Sequence, residues 1–230
     1  SVFALFMLLK IILTSRIDGY GFVLGMPATL LAIYMLLTVA PAALAKRWGY
    51  SSVLRFSVLA GVVVLTAWHL QRTVSYYSPM TYAVASGGDK IMTYEKTGAG
   101  KGVNILVEQI GKMTGPDDGL VVLPEGALIN YLARRRNPTG FVTFLPTDPL
   151  IFGEGAMVAK LESSSPAYVI FISRDTSEYG YHYLGQDYGF DIFNFVMERY
   201  EPVLNIGSSA FMQKSVSMGQ QLGMLVYRRI

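Results

Sequence analysis

Whatever chemistry this sequence offers rests on Glu125, the run Arg134, Arg135 and Arg136, and the later group Asp175, Glu178, His182 and Asp187. Glu125 follows the short apolar run 120–123 and Pro124. Its carboxylate therefore falls where the carboxyl end of a strand meets the amino end of a helix, the usual ligand position in open parallel sheets. Leu128, Ile129, Tyr131 and Leu132 share one helical stripe, which sets the three arginines at that helix's carbonyl end. There they can clamp a phosphate, cap the helix, or meet anionic lipid headgroups. Asp175 to Asp187 follow the apolar strand 167–172 and lie among Tyr179, Tyr181, Tyr183 and Tyr188. Such a loop can hold a sugar by stacking and hydrogen bonding, rest on a membrane or partner protein, or simply pack.

The same inventory excludes much. The chain holds no Cys and two His, which removes disulfides, thiolate nucleophiles and a zinc centre, so no metal is expected. Asp117 and Asp118 lack the further oxygen ligands of a calcium loop and read as a turn. No phosphate-binding P-loop, dinucleotide fingerprint, HExxH or GxSxG is present, and no cofactor is predicted. Asp148 and Glu154 add carboxylates able to act as acid or base, but only their separation in space would define a glycosidic mechanism.

The elements that must position these groups divide the chain in two. Hydrophobic side chains make up 52% of the 230 residues and charged ones 15%, too apolar for an ordinary soluble domain. Residues 1–72 are strongly basic, with Asp18 as their one acid, whereas residues 73–230 are close to neutral. The net charge of +3 thus gives no basic surface for nucleic acid.

Tyr20 to Ala45 holds only apolar, Gly, Pro, Thr and Tyr residues, long enough to cross a bilayer. Residues 55–71 form a second, shorter span, and residues 1–13 read as the tail of a third. Lys46, Arg47 and Arg55 mark the intervening turn as cytoplasmic, while Trp68, Tyr76 and Tyr77 form an interfacial belt. Residues 73–230 would then lie in the periplasm of a bacterial inner membrane. Their short apolar runs, broken by Gly, Pro, Asp and Ser, predict a layered α/β domain. Helices are expected over 100–113, 127–136, 153–161 and 190–200. Strands are expected over 81–85, 120–123, 141–145, 167–172, 203–206, 210–213 and 224–227, the last two paired as a hairpin. Lys90 to Glu95 is expected along the membrane surface.

The runs LPEGALINYLARRRNPTGF and SPAYVIFISRDTSEYGYHYLGQDYG, behind two or three spans, resemble the carboxyl-terminal part of bacterial integral-membrane glycosyltransferases of the lipid-linked-sugar class. That class is related to protein mannosyltransferases and lipid A aminoarabinose transferases. The resemblance implies transfer of a sugar from a polyprenyl-phosphate carrier, with an acidic residue as base. In that family the catalytic acids belong to the first extracytoplasmic loops of a longer, many-span region that has no counterpart here, so no catalytic base is assigned to this chain. Two expectations follow. Either the sequence covers the membrane and periplasmic end of a transferase, or it is a noncatalytic accessory subunit that braces other membrane protein subunits. For the second, Gly21, Gly25 and Gly61 offer surfaces for close helix approach.

Overall fold

A computed structural model describes residues 2–11, 22–48, 51–95, 98–207 and 223–230. The chain is a mixed α/β protein with two helices fit to cross a membrane, and it forms two compact units, Ser1–Tyr77 and Ser78–Ile230. The boundary falls at Tyr77 because the last helix of the first unit continues past Arg72.

The first unit contains α1 (Val2–Ile11), α2 (Phe22–Tyr34), α3 (Ala40–Trp48) and α4 (Ser51–Tyr77). Among the described residues, Gly25–Lys46 and Ser52–Tyr77 are long and apolar enough to cross a membrane. They contain 22 and 26 residues, or about 33 and 39 Å at the α-helical rise. Between α2 and α3 the backbone widens into one π-helical turn, Met35–Val39, where the Ala40 N–H donates to the Met35 carbonyl. Pro41 supplies the reason. It has no N–H for the Leu37 carbonyl four residues back, and its ring would strike that carbonyl in a regular α-helix.

The second unit begins with a small antiparallel pair, β1 (Tyr82–Val84) and β2 (Ile91–Thr93). Residues 91–93, within the stretch expected along a membrane surface, are a strand of this pair. Asn104 on α5 (Ala99–Met113) holds this pair, its Nδ2 donating to the Ala83 carbonyl at 3.0 Å and its Oδ1 accepting from the Ala85 N–H at 3.0 Å.

The main sheet has the order β3-β4-β6-β5, from β3 (Leu120–Leu123), β4 (Tyr168–Ile172), β5 (Tyr200–Ile206) and β6 (Met224–Arg229). β3 and β4 run parallel, and β6 is antiparallel to both β4 and β5. Every residue of β3 and β4 is buried, as continuous Val/Ile/Leu-rich runs require when helices cover both faces. On one face Leu106 and Ile110 of α5 and Ile129 of α6 (Ala127–Ala133) pack on Val122, Ile170 and Val226. On the other, Met157 and Leu161 of α8 (Glu154–Ser164) and Ile192 and Val196 of α9 (Phe190–Arg199) pack on Val121, Val169 and Phe171. A short helix, α7 (Thr147–Phe152), precedes α8.

One strand expectation changes. Residues 141–145 make only an isolated bridge, Glu125 with Thr143, because Asp148 Oδ2 accepts from both the Thr143 hydroxyl and the Leu145 N–H at 2.8 Å. Side-chain bonding to nearby backbone competes with a ladder and here replaces it. The final strand pairs with β4 and β5, and residues 210–213, its expected hairpin partner, lie outside the described residues. Pro202 is tolerated because β5 is an edge strand with an irregularity between Pro202 and Leu204.

Candidate functional site

The parallel pair fixes a carboxyl edge, and the loops leaving β3 and β4 meet there. The chain turns after Leu123 through a cis peptide to Pro124, and Gly126 then starts α6. A Cβ at Gly126 would overlap the Val122 side chain, so only glycine lets the loop fold this closely over its own strand. Glu125 is left partly exposed at this edge.

Its partner is Arg174, just beyond the end of β4. Arg174 Nε lies 2.9 Å from Glu125 Oε2, and Nη2 donates to Glu178 Oε1 at 2.7 Å. One guanidinium thus stands between two carboxylates, which leaves the group acidic by one charge. The first ion pair is close without being well aligned, since the buried Arg174 Nε has no partner in hydrogen-bond geometry. In the sequence Arg174 stands between this strand and Asp175, but spacing does not show which residue of the stretch turns toward the neighbouring loop.

Beyond it, the loop to α9 satisfies itself. The buried Thr176 hydroxyl lies 2.9 and 3.0 Å from the carbonyls of Tyr181 and His182. Asp187 Oδ2 accepts from the His182 N–H at 2.8 Å, and Asp175 Oδ1 accepts from the Ser177 N–H at 2.9 Å. His182 Nδ1 lies 3.2 Å from Asp175 Oδ1. Burial works against the charged form of Asp175, yet the hydrogen bonds from Ser177 and His182 hold its carboxyl below the usual value.

Leu184 and Tyr188 anchor the loop in the core, while Tyr179 and Tyr181 stay outside. Burial pushes the Tyr188 hydroxyl up to about 12, with Thr176 and Arg174 pulling it down and Asp148 adding to the rise. Tyr188 is 7% exposed, and its hydroxyl makes no well-formed hydrogen bond among the described residues.

The arginine run stands at the other end of the sheet. α6 runs back along β3, so its last turn meets the start of that strand, where the Leu120 N–H donates to the Arg136 carbonyl at 3.0 Å. The three side chains diverge. Arg134 pairs with Asp89 and stacks over Tyr131, its guanidinium carbon 4.2 Å from the ring centre. Arg135 donates through Nε to Thr114 Oγ1 at 2.7 Å and through Nη2 to the Thr114 carbonyl at 2.9 Å. Its Nη1 reaches the Ala133 carbonyl at 3.1 Å and the Arg134 carbonyl at 3.3 Å. It therefore ties the ends of α5 and α6 together. The Arg136 side chain is exposed.

Thus Glu125, Asp175, Glu178, His182 and Asp187 share the carboxyl edge, and Arg134, Arg135 and Arg136 do not join them. Asp118, Asp148 and Glu154 are engaged in the fold. Glu154 Oε1 accepts from the N–H groups of Asp191 and Ile192 at 2.7 and 3.1 Å, capping α9, and Asp118 closes its own turn onto Gly115. No group of three or more His, Cys, Asp or Glu among the described residues is arranged to hold a metal ion. Comparison of the chain with protein-family models, curated proteins and solved structures returns no match.

Proposed function

We propose that this chain is a membrane-anchored binding module of a polyprenyl-phosphate-sugar-dependent glycosyltransferase, contributing anchorage and ligand contact while other residues perform the transfer. The observation that carries this reading is the pairing at the carboxyl edge. Glu125 and Glu178 share Arg174, and Asp175 and Asp187 hold their own loop, so none stands free as a base. An edge of carboxylates, one arginine and outward tyrosines suits the hydroxyls and ring faces of a sugar.

The anchor rests on the two long helices, whose apolar side chains, Leu30, Val63, Val64 and Leu65 among them, face outward. Such a surface is stable in lipid and untenable in water. The basic turn between the helices favours a cytoplasmic position for that turn and a periplasmic one for the α/β unit of a bacterial inner-membrane protein. A Glu125→Ala variant in nanodiscs should bind a polyprenyl-phosphate hexose about tenfold more weakly, the loss expected for one charged hydrogen-bond partner. Unchanged affinity in a folded variant sinks the sugar-binding reading.

A second reading, a noncatalytic accessory subunit of a larger membrane complex, is favoured by one surface. Leu150 and Ile151 on α7 are 78% and 70% exposed, and Phe152, which follows them on the same helix, is also exposed. Exposed apolar groups in such a cluster mark an interaction surface. An Ile151→Glu variant should fold normally and lose any partner that copurifies with the parent in fixed ratio. Retention of that partner refutes this reading.

A further inference from the structure

A groove of about 540 Å³ opens in the first unit between the π-helical turn and the start of α4. Its walls are Leu37 and Thr38 on the turn and Ser52, Arg55, Phe56 and Leu59 on α4. The four α4 residues recur at three- and four-residue intervals, which puts them on one helix face. On the other wall, the π turn forced by Pro41 widens the helix where Leu37 and Thr38 meet that face.

The two ends of the groove differ in chemistry. Ser52 and Arg55 belong to the first turns of α4, next to the basic connection after Lys46. Among the described residues Arg55 pairs with no carboxylate, and residues 22–77 contain no acidic residue at all. Leu37, Phe56 and Leu59 make the rest apolar, while the Thr38 hydroxyl is engaged by the Tyr34 carbonyl at 2.6 Å. A cation and a hydroxyl at one end, with an apolar trough behind them, complement a molecule with an anionic head and a hydrocarbon tail.

We propose that this groove is a binding site for one anionic phospholipid, its phosphate held by Arg55 and Ser52 and an acyl chain lying along Leu37, Phe56 and Leu59. The proposal rests on the reading of these helices as membrane spans. A bilayer then supplies the ligand at high local concentration, and Arg55 in the first turns of a span stands at headgroup depth.

The test uses the full chain in nanodiscs of equal phosphatidylglycerol and phosphatidylcholine, released for native mass spectrometry. The parent should retain one phosphatidylglycerol in preference to phosphatidylcholine by about fivefold, the preference one near-surface arginine supplies. Arg55→Gln should abolish that preference and Arg55→Lys should keep part of it. Leu59→Trp, which fills the trough, should reduce retention of either lipid. Equal retention of the two lipids by the parent, or an unchanged preference in Arg55→Gln, overturns the proposal. Failure of the membrane reading shows separately, because the parent would then be stripped from phosphatidylcholine vesicles by carbonate.

Discussion

Replacing Arg135 by Ala separates architecture from ligand binding in the arginine run. Its guanidinium makes four hydrogen bonds, the two shortest to Thr114 at the end of α5 and the others to the last carbonyls around α6. A hydrogen bond from a charged group contributes about 1.5–3 kcal/mol, and partial exposure of this side chain discounts that. Truncation also takes the Arg135 donor from the carbonyl of buried Thr114, whose hydroxyl keeps its bond to the Ile110 carbonyl. The expected loss is about 2 kcal/mol, or a urea midpoint lower by about 1 M for an ordinary m-value. Pulse proteolysis of the full chain in detergent, following fragments of residues 98–207, reads this directly. Arg135→Lys should recover little, because an ammonium cannot reproduce the fork that bridges two helix ends. Arg136→Ala, at an exposed side chain, should stay within about 0.5 kcal/mol of the parent. If Arg135→Ala and Arg136→Ala left the midpoint equally unchanged, the structural role assigned to this corner would be wrong.

Gly126→Ala should destabilise the α/β unit by about 1–3 kcal/mol, since the new methyl group meets Val122 at the start of α6; a parent-like thermal midpoint would contradict the close approach. Tyr188→Phe removes a buried hydroxyl without a well-formed partner and should be neutral or slightly stabilising, whereas a clear loss of stability would reveal a hydrogen bond there. The raised pKa of Tyr188 means that the unfolded chain releases this proton first. The contribution of the neutral phenol is therefore complete below the ordinary tyrosine value of 10.0 and is lost as pH rises toward about 12. Absorbance titration at 295 nm should show a late component that Tyr188→Phe removes. For Asp175, whose pKa is lowered, the sign reverses: its contribution is present above the ordinary aspartate value and lost as pH falls below it, and Asp175→Asn should flatten the acid limb of loop protection measured by hydrogen exchange.

The elements that were legible in the sequence are those with a strong local signal. β3 and β4 are short apolar runs bounded by Pro, Gly and polar clusters, and α5 and α9 have apolar residues at helical intervals. Phe141 to Leu145 has the β-branched and aromatic content of a strand, but Asp148 takes its N–H and hydroxyl groups from three and five residues away. Composition does not show that competition. The site was legible by half for a related reason. That Glu125 and the 175–187 loop share an edge follows from two parallel strands, while the direction of Arg134, Arg135 and Arg136 depends on α6 running back to the start of β3 and on a partner, Thr114, twenty-one residues earlier. Arg174, the side chain that joins the two loops, carried no spacing signal of its own.

The strand order β3-β4-β6-β5 has a consequence for how the protein is made. β6 leaves the ribosome after β5 yet occupies the position between β4 and β5, so neither neighbour can complete its backbone pairing until residues 224–229 are available. Until then one edge of the buried strand β4 and the inner edge of β5 are open to pairing with other chains. Nascent α/β units should therefore depend on chaperone protection until residues 224–229 emerge, and a stall before residue 224 should yield aggregates rather than a smaller folded unit.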